Sequence, residues 1–212
     1  MIIHNVTQGT DEWFAIRCGI PTTSAFSSMV TSTGNMSKSI DDYAITLAAD
    51  MFAGKSLDEF QGNHYTERGI ALEPEARNFY EVQKNMDVQE VGFITDDLHT
   101  WGCSPDGLVS DGLGMLEIKC QIPKNHIKCI IDYKKNGKVP TKYIQQIQGQ
   151  MLIANREYCD LLLYHPHLPS LIIRILPDLD FRLKLIEALD VVIKNRDDTF
   201  NILKQEMKHE LK

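Results

Sequence analysis

The chain is built around the segment Gly102-Cys-Ser-Pro-Asp-Gly-Leu-Val-Ser-Asp-Gly-Leu-Gly-Met-Leu-Glu-Ile-Lys-Cys120. Its last part, Gly114 to Cys120, is predicted to be a short strand. Because side chains alternate between the two faces of a strand, Glu117 and Lys119 should share one face and apolar side chains the other. Turn-forming residues surround Asp106 and predict a bend that brings it beside this strand. The segment therefore predicts two acids and a lysine in one pocket.

These three side chains suit the hydrolysis of a phosphodiester. Paired carboxylates hold a hard cation such as Mg²⁺, which stabilises the charge that builds on the phosphoryl oxygens, and a lysine can orient or activate the attacking water. A structural reading is also open, because Ser-Pro-Asp-Gly is an ordinary turn and Glu-x-Lys is common on a solvated strand face. The combination of both halves with an otherwise apolar strand favours the catalytic interpretation.

The remaining secondary structure is predicted from apolar periodicity. Helices are expected over residues 11–16, 22–30, 41–53, 67–82, 123–133 and 142–154, followed by one long helix or two over 180–207. Further strands are expected over residues 88–95, 100–104, 159–165 and 171–176. The strands before residue 105 lead directly into the catalytic one, which predicts an antiparallel meander and the α+β class.

Composition bounds the class of protein. A chain of 212 residues with 43% hydrophobic and 24% charged residues is expected to form one compact soluble domain, and no apolar run is long enough to span a bilayer. The N-terminus lacks the basic start and apolar stretch of a signal peptide. The five cysteines include no Cys-x-x-Cys pair, which argues against a disulfide framework, a zinc site or an iron–sulfur cluster. A reducing cytoplasm is the expected location.

The charge is unevenly distributed along the chain. The formal net charge is −7, which is not typical of a nucleic-acid-binding protein. From Lys119 to Lys142, however, seven lysines and one aspartate give +6, so the remaining residues carry −13. This block, with Lys124 and Lys128 near its start, is a candidate path for a DNA backbone. For the part from Lys134 to Lys138, a solvated lysine-rich loop is an equally open interpretation.

The two motif halves Pro105-Asp106 and Glu117-Ile118-Lys119 resemble the PD-(D/E)xK nuclease superfamily. A more specific resemblance, to the phage lambda exonuclease or YqaJ-type viral recombinase family, is carried by three blocks in a fixed order. The blocks are Gln8 to Gly19, Cys103 to Cys120 and Tyr143 to Gln148. From about Pro166 onward, the chain offers no motif that extends this resemblance.

The resemblance implies a fold and an activity. The fold would be a restriction-endonuclease-like core with a central mixed β-sheet flanked by helices, in a single domain over residues 1–212 with a C-terminal helical segment from about residue 180. The activity would be that of a 5′-to-3′ exonuclease on linear double-stranded DNA with 5′-phosphate ends, using one or two Mg²⁺ ions, with Mn²⁺ as a substitute. Within the same superfamily an endonuclease is an alternative, and so is a non-catalytic module that binds DNA ends.

The resemblance also assigns roles to individual residues. Asp106 and Glu117 would bind the metal, supported by Glu73 and the main-chain carbonyl of Ile118, although by sequence alone Glu75 rivals Glu73. Lys119 would position the attacking water.

The 5′-terminal phosphate would be held by Arg17 and Ser24, with Ser104 as a further candidate. An arginine fork suits a phosphate, yet an arginine beside a helix start is more often part of a surface ion pair. The family places the glutamines of the third block, Gln146 and Gln148, near the active site or the DNA, with Gln146 as the better candidate, although exposed helix glutamines are the commoner case.

The implied partners complete the expectation. The family works as a homotrimeric ring that encircles duplex DNA, beside a phage single-strand annealing protein, in recombination by strand annealing. A ring would explain how an acidic chain retains DNA, because enclosure replaces affinity. The expected setting is the cytoplasm of a bacterial host, with a phage or prophage as the source of the protein.

Overall fold

The computed structural model describes residues 1–57 and 64–210, with side chains for all of these except residues 64–66 and 208–210. The helices are α1 (Asp11–Arg17), α2 (Ile40–Ala53), α3 (His64–Lys84), α4 (Pro123–Asn136), α5 (Ile144–Ile153) and α6 (Leu179–Glu210). The strands are β1 (Ile2–His4), β2 (Val88–Gln89), β3 (Phe93–Thr95), β4 (Gly102–Cys103), β5 (Gly107–Val109), β6 (Gly114–Lys119), β7 (Tyr158–Leu163) and β8 (Leu171–Ile175). Short 3₁₀ turns cover Thr23–Ser28 and Thr141–Tyr143.

A five-stranded mixed sheet in the order β2-β5-β6-β7-β8 forms the centre of the protein. The pairs β2–β5, β5–β6 and β7–β8 are antiparallel, whereas β6 and β7 are parallel, with Glu117 opposite Leu161. Parallel neighbours need a long connection, and α4 and α5 provide it here. The expected mixed sheet is therefore present, with β6, the strand of Glu117 and Lys119, in its middle.

Helices cover both faces of this sheet. Leu116 and Ile118 of β6 pack in one apolar cluster with residues of α3, whereas Met115 packs in another with residues of α5. The odd-numbered residues of β6, Glu117 among them, therefore lie on the α5 side. The flanking helices agree with the predicted α+β architecture.

The second sheet contains three strands in the order β1-β3-β4. The expected meander is wrong at this point, because β4 pairs with β3 and it is β5 that pairs with β6. The single strand expected over residues 88–95 is instead two strands in different sheets. Gly92 separates them, and a Cβ there would lie 1.7 Å from the Val6 carbonyl oxygen. The N-terminal segment therefore passes close to the main chain at the junction of the two strands, and β3 pairs with β1 of that segment.

The C-terminal residues form one long helix, α6, which packs against α2. Its buried residues Leu185, Leu189 and Val192 belong to the apolar stripe expected from the sequence, and they share a cluster with Phe26. None of the helices in the described residues combines the length and apolar character that crossing a bilayer requires.

Candidate active site

Glu117 lies on the middle strand of the five-stranded sheet, on the face covered by α5. Its side chain is only 1% exposed, and both oxygens have partners. Oε1 accepts a hydrogen bond from Gln146 Nε2 over 2.7 Å and forms an ion pair with Lys119 Nζ at 2.5 Å. Oε2 accepts from Gln150 Nε2 over 2.8 Å. Because a buried carboxylate is costly unless it is paired, these three contacts fix its orientation.

Asp106 immediately precedes β5 and reaches across to β6. Its Oδ2 accepts a hydrogen bond from the Ile118 main-chain N–H over 2.6 Å. The pairing of β5 with β6 ends at Gly107, so the N–H of Ile118 has no main-chain acceptor on β5. The Asp106 carboxylate accepts this hydrogen bond instead. Burial, and next the nearby charge of Glu117, raises the pKa of Asp106 well above its ordinary value, although Lys119 opposes the shift. The structure thus brings the three predicted catalytic side chains together.

The structure also separates the two rival glutamates of α3. Burial raises the pKa of Glu73, the charges of Arg77 and Lys119 oppose this shift, and the charge of Glu117 adds to it. Glu75 points elsewhere, since its Oε1 accepts a hydrogen bond from the Tyr164 hydroxyl over 2.6 Å. Glu73 is therefore the α3 carboxylate that faces the site.

Lys119 is the cation of the site. Burial alone would lower the pKa of Lys119, but the nearby charges of Glu117 and Asp106 raise it above its ordinary value. The side chain is therefore an ammonium at neutral pH, and at 24% exposure it remains accessible to a ligand. Its Nζ also lies 5.2 Å from the centroid of the Tyr143 ring. A cation fixed in this way can contact a phosphoryl oxygen placed against the two acids.

A divalent cation fits these residues, although in the described part of the chain no three His, Cys, Asp or Glu side chains form a preformed metal site. Asp106 and Glu117 supply carboxylate oxygens, the ligands that Mg²⁺ prefers. The N–H and carbonyl of one strand residue point to the same strand edge, so the Ile118 carbonyl lies on the side that Asp106 occupies. Burial is the main cause of the raised pKa values of Asp106 and Glu73, and the charge of Glu117 adds to both. A divalent cation would relieve this repulsion among the carboxylates.

A second site, the Arg17 pocket, consists of Trp13, Arg17, Thr22 and Ser104. The Arg17 guanidinium carbon lies 3.8 Å from the centroid of the Trp13 ring. Its Nη1 donates to Ser104 Oγ and its Nη2 to Thr22 Oγ1, each over 3.4 Å. Among the described residues, no carboxylate lies within ion-pair distance of Arg17. Burial lowers the pKa of Arg17 to about 10. A half-buried guanidinium with only weak hydroxyl partners is suited to bind an anion.

Hydrogen bonds connect the other predicted phosphate ligands to this pocket. Ser24 Oγ lies 3.3 Å from Thr22 Oγ1 on the exposed side. Ser104 Oγ donates to the Gly92 carbonyl over 2.8 Å and accepts from Trp13 Nε1 over 3.0 Å. Because Ser104 lies two residues before Asp106, the Arg17 pocket adjoins the acids along the chain.

The two predicted lysines of α4 do not join this centre. Lys124 and Lys128 are exposed, and in the described part of the chain neither forms a hydrogen bond or ion pair with Asp106 or Glu117. Lys128 instead lines a pocket near Tyr143.

Residues 12–157 match the model of the YqaJ-like viral recombinase domain, which is well over half of the chain. The chain belongs to the YqaJ-like viral recombinase family. All of the motif residues from Arg17 to Gln150 lie inside the matched region of this family. No curated protein sequence matches the chain.

Solved structures place this family member beside exonucleases. The alkaline exonuclease LHK-Exo from Laribacter hongkongensis gives a TM-score of 0.81 at 31% identity, over 94% of this chain and 99% of that one. LHK-Exo in complex with dAMP gives a TM-score of 0.80 at 30% identity with the same coverage. A phage-related exonuclease from Haemophilus somnus 129PT, at a TM-score of 0.66 and 17% identity over 89% of this chain and 96% of that one, shares the fold. The restriction-endonuclease-like fold expected from the sequence is thereby confirmed.

Sequence reasoning missed several contributors to the site. Gln150 donates a hydrogen bond to Glu117, and Trp13 and Thr22 flank Arg17. One signal for Gln150 was available, because Gln146 and Gln150 are four residues apart and therefore share a helix face. The same spacing relates Trp13 to Arg17 on α1. The sequence also placed the Thr22 hydroxyl near Arg17 as part of a possible anion site, but it did not indicate the hydrogen bond between them.

Proposed function

We propose that this protein is a Mg²⁺-dependent 5′-to-3′ exonuclease that degrades one strand of linear double-stranded DNA from 5′-phosphate ends. The observation that carries the proposal is the convergence of Asp106, Glu117 and Lys119 at the end of β6, with the Arg17 pocket adjoining them through Ser104. A phosphodiester hydrolase needs the first group, and an enzyme that starts from a phosphorylated end needs the second. Family membership and the likeness to exonucleases support the same reading.

Each group has a distinct task in this mechanism. The Arg17 fork and the hydroxyls of Ser24 and Ser104 would bind the terminal phosphate and thereby place the next phosphodiester against the acids. Asp106 and Glu117, with Glu73 and the Ile118 carbonyl, would hold Mg²⁺. When bound, Mg²⁺ would supply Lewis-acid stabilisation of the charge that builds on the phosphoryl oxygens.

Two further residue contributions act on the chemical step. The Lys119 ammonium would orient the attacking water and offset negative charge in the transition state, where one preorganised donor typically contributes about a hundredfold in rate. Gln146 and Gln150 would keep Glu117 in place while the substrate moves forward by one nucleotide. LHK-Exo is described in complex with dAMP, a deoxymononucleotide, which supports stepwise release of mononucleotides here.

The same proposal includes assembly and context. A homotrimeric ring around the duplex would let a chain of net charge −7 retain DNA by enclosure. A phage single-strand annealing protein would receive the strand that is exposed, in the cytoplasm of the bacterial host. Mn²⁺ would replace Mg²⁺, because both are hard cations that accept oxygen ligands.

A digestion time course tests the function. Three substrates are compared, with Mg²⁺ and with chelator: a linear duplex with 5′-phosphate ends, the same duplex with 5′-hydroxyl ends, and closed circular plasmid. The proposal expects Mg²⁺-dependent release of mononucleotides, fastest from the phosphorylated ends, and an intact plasmid. Cutting of the plasmid would instead establish an endonuclease. Binding of ends without hydrolysis would establish a non-catalytic module, and activity that survives Asp106→Ala would refute the assigned site.

A further inference from the structure

A pocket of about 320 Å³ lies beyond the catalytic strand and is here called the lysine pocket. Its polar lining includes Gln121, Lys128, Asp132, Lys138 and Lys142. Lys128 and Asp132 are four residues apart on α4 and share a helix face, while Lys138 and Lys142 come from the segment between α4 and α5. Three lysines against one aspartate make the pocket cationic in a protein whose net charge is −7. Such a concave cationic surface attracts polyanions.

The lysine pocket is connected to the catalytic lysine through Tyr143. The Tyr143 hydroxyl accepts a hydrogen bond from Gln121 Nε2 over 2.8 Å. The Nζ atoms of Lys119 and Lys142 lie 5.2 Å and 4.6 Å from the centroid of the same ring. One tyrosine therefore holds an ammonium of the active site and an ammonium of the lysine pocket, and an anion that contacted both would be stabilised.

The two cationic sites approach the acids by different routes. The Arg17 pocket adjoins Asp106 through Ser104, whereas the lysine pocket adjoins Glu117 through Tyr143 and Lys119. A strand whose terminal phosphate lies in the Arg17 pocket, and whose next phosphodiester lies at the acids, must continue away from both. The lysine pocket lies on the approach through Tyr143 and Lys119, on the side of the acids away from the Arg17 pocket, where the continuing strand would pass.

We propose that the lysine pocket binds the backbone phosphates of the strand being cut, on the 3′ side of the scissile bond. This inference rests on the proposed exonuclease function and adds a strand and a direction to it. Its ligand chemistry is a phosphodiester, which could also come from the complementary strand. Lysines neutralise phosphates as point charges without reading bases, so the contact is independent of sequence.

The test compares two double variants of equal charge. Lys128→Gln/Lys138→Gln removes two lysines that line the lysine pocket. Lys134→Gln/Lys135→Gln removes two exposed lysines of α4 that do not line it. Binding of a 5′-phosphorylated duplex is measured by fluorescence anisotropy with Ca²⁺ in place of Mg²⁺, over a series of salt concentrations. In the first variant, the negative slope of log K against log salt should become shallower by about 0.9 for each phosphate that is no longer neutralised. In the second variant, the slope should be unchanged.

Neutral methylphosphonate linkages then identify the strand. A neutral linkage near the 5′ end of the cut strand should weaken binding to the wild type and have no further effect on Lys128→Gln/Lys138→Gln. If only neutral linkages in the complementary strand behave in this way, the assignment to the cut strand is overturned. If the slope becomes shallower by the same amount in both double variants, the pocket is not a specific phosphate site, because any two lysines would then have the same effect. Digestion of DNA by the wild type is measured separately. If the wild type is active but the slope is unchanged in Lys128→Gln/Lys138→Gln, the proposed phosphate site is refuted while the proposed exonuclease function stands.

Discussion

Gln150 donates a hydrogen bond from Nε2 to Oε2 of Glu117 over 2.8 Å, and both side chains are buried. The second glutamine contact, from Gln146, falls on the other carboxylate oxygen. Because the two donors hold opposite oxygens, they fix the plane of the carboxylate. The Oε1 atom of Gln150 has no hydrogen-bond partner among the described residues. A buried acceptor without a partner lowers the free energy of unfolding, so this side chain reduces the stability of the protein while it orients Glu117.

Gln150→Leu should therefore lower activity without removing any catalytic group. A hydrogen bond to a charged group contributes roughly 1.5–3 kcal/mol, so kcat should fall by about tenfold or more. Mn²⁺ affinity, measured by calorimetry in the absence of DNA, should fall as well. The matched control is Gln148→Leu, whose buried amide on the same helix contacts Leu176 and Asp178 instead. The control should lose stability but keep its Mn²⁺ affinity, and equal Mn²⁺ losses in both variants would contradict the prediction.

Glu73→Gln and Glu75→Gln form a second matched pair on α3. Removing the charge of Glu73 should lower activity and Mn²⁺ affinity by about tenfold to a hundredfold, the range found for groups that support a metal site. Glu75→Gln should keep full activity, since its carboxylate contacts Tyr164 and not the acids. Steady-state digestion rates over a Mg²⁺ titration measure both. If Glu75→Gln loses more activity than Glu73→Gln, then Glu75 and not Glu73 is the α3 carboxylate that supports the metal.

Asp106→Asn should abolish activity yet stabilise the metal-free protein. Burial and the charge of Glu117 raise the pKa of Asp106 in the folded state, while the unfolded value is about 3.9. A carboxyl whose folded pKa is raised favours folding at low pH, and this contribution is lost as the pH rises through the folded pKa. In chelator, the variant's melting temperature should therefore exceed that of the wild type by a margin that widens from about pH 4 upward. A margin that narrows with rising pH would show that the pKa of Asp106 is not raised in the folded protein.

Arg17→Gln should remove the preference for phosphorylated ends. The variant loses the fork that contacts Ser104 and Thr22, so kcat/KM on 5′-phosphate ends should fall by about tenfold to a hundredfold, as expected for a charge-assisted contact of roughly 1.5–3 kcal/mol. Activity on 5′-hydroxyl ends should change little. Arg174→Gln is the control, because Arg174 also stacks on an aromatic ring but is paired with Asp160. The control should lose stability and keep the preference, and a preserved preference in Arg17→Gln would remove Arg17 from end recognition.

The parts of the site that could be predicted from sequence are the local ones. The alternation along β6 and the turn at Asp106 act over fewer than about fifteen residues, and both follow from strand and turn geometry. The partition of residues 88–95 between two sheets could not be predicted, because β3 pairs with β1, which is about ninety residues away in the sequence, whereas β2 pairs with β5. Such long-range contacts leave no periodic signal in the chain.

The role of Gln150 was hidden for a related reason. Helical spacing shows that Gln146 and Gln150 share a face, but it does not show which neighbour that face meets. The neighbour is set by the parallel crossover from β6 to β7, which places α5 over Glu117. Glu73 required the same kind of information, since α3 approaches β6 from the other side of the sheet. Family resemblance supplied Glu73, whereas Gln150 became apparent only from the packing.

The crossover has an evolutionary consequence. Apart from Glu73, the side chains that carry and orient the proposed hydrolytic step lie in one uninterrupted stretch between Asp106 and Gln150. The group proposed to recognise the DNA end belongs to the opening part of the chain, at Arg17. Mutations near Arg17 can thus change which DNA ends the protein accepts while the residues between Asp106 and Gln150 stay unchanged. Chimaeras that join the first fifty or so residues of one relative, which carry Arg17 and Ser24 but not Glu73, to the remainder of another would transfer end preference independently of turnover.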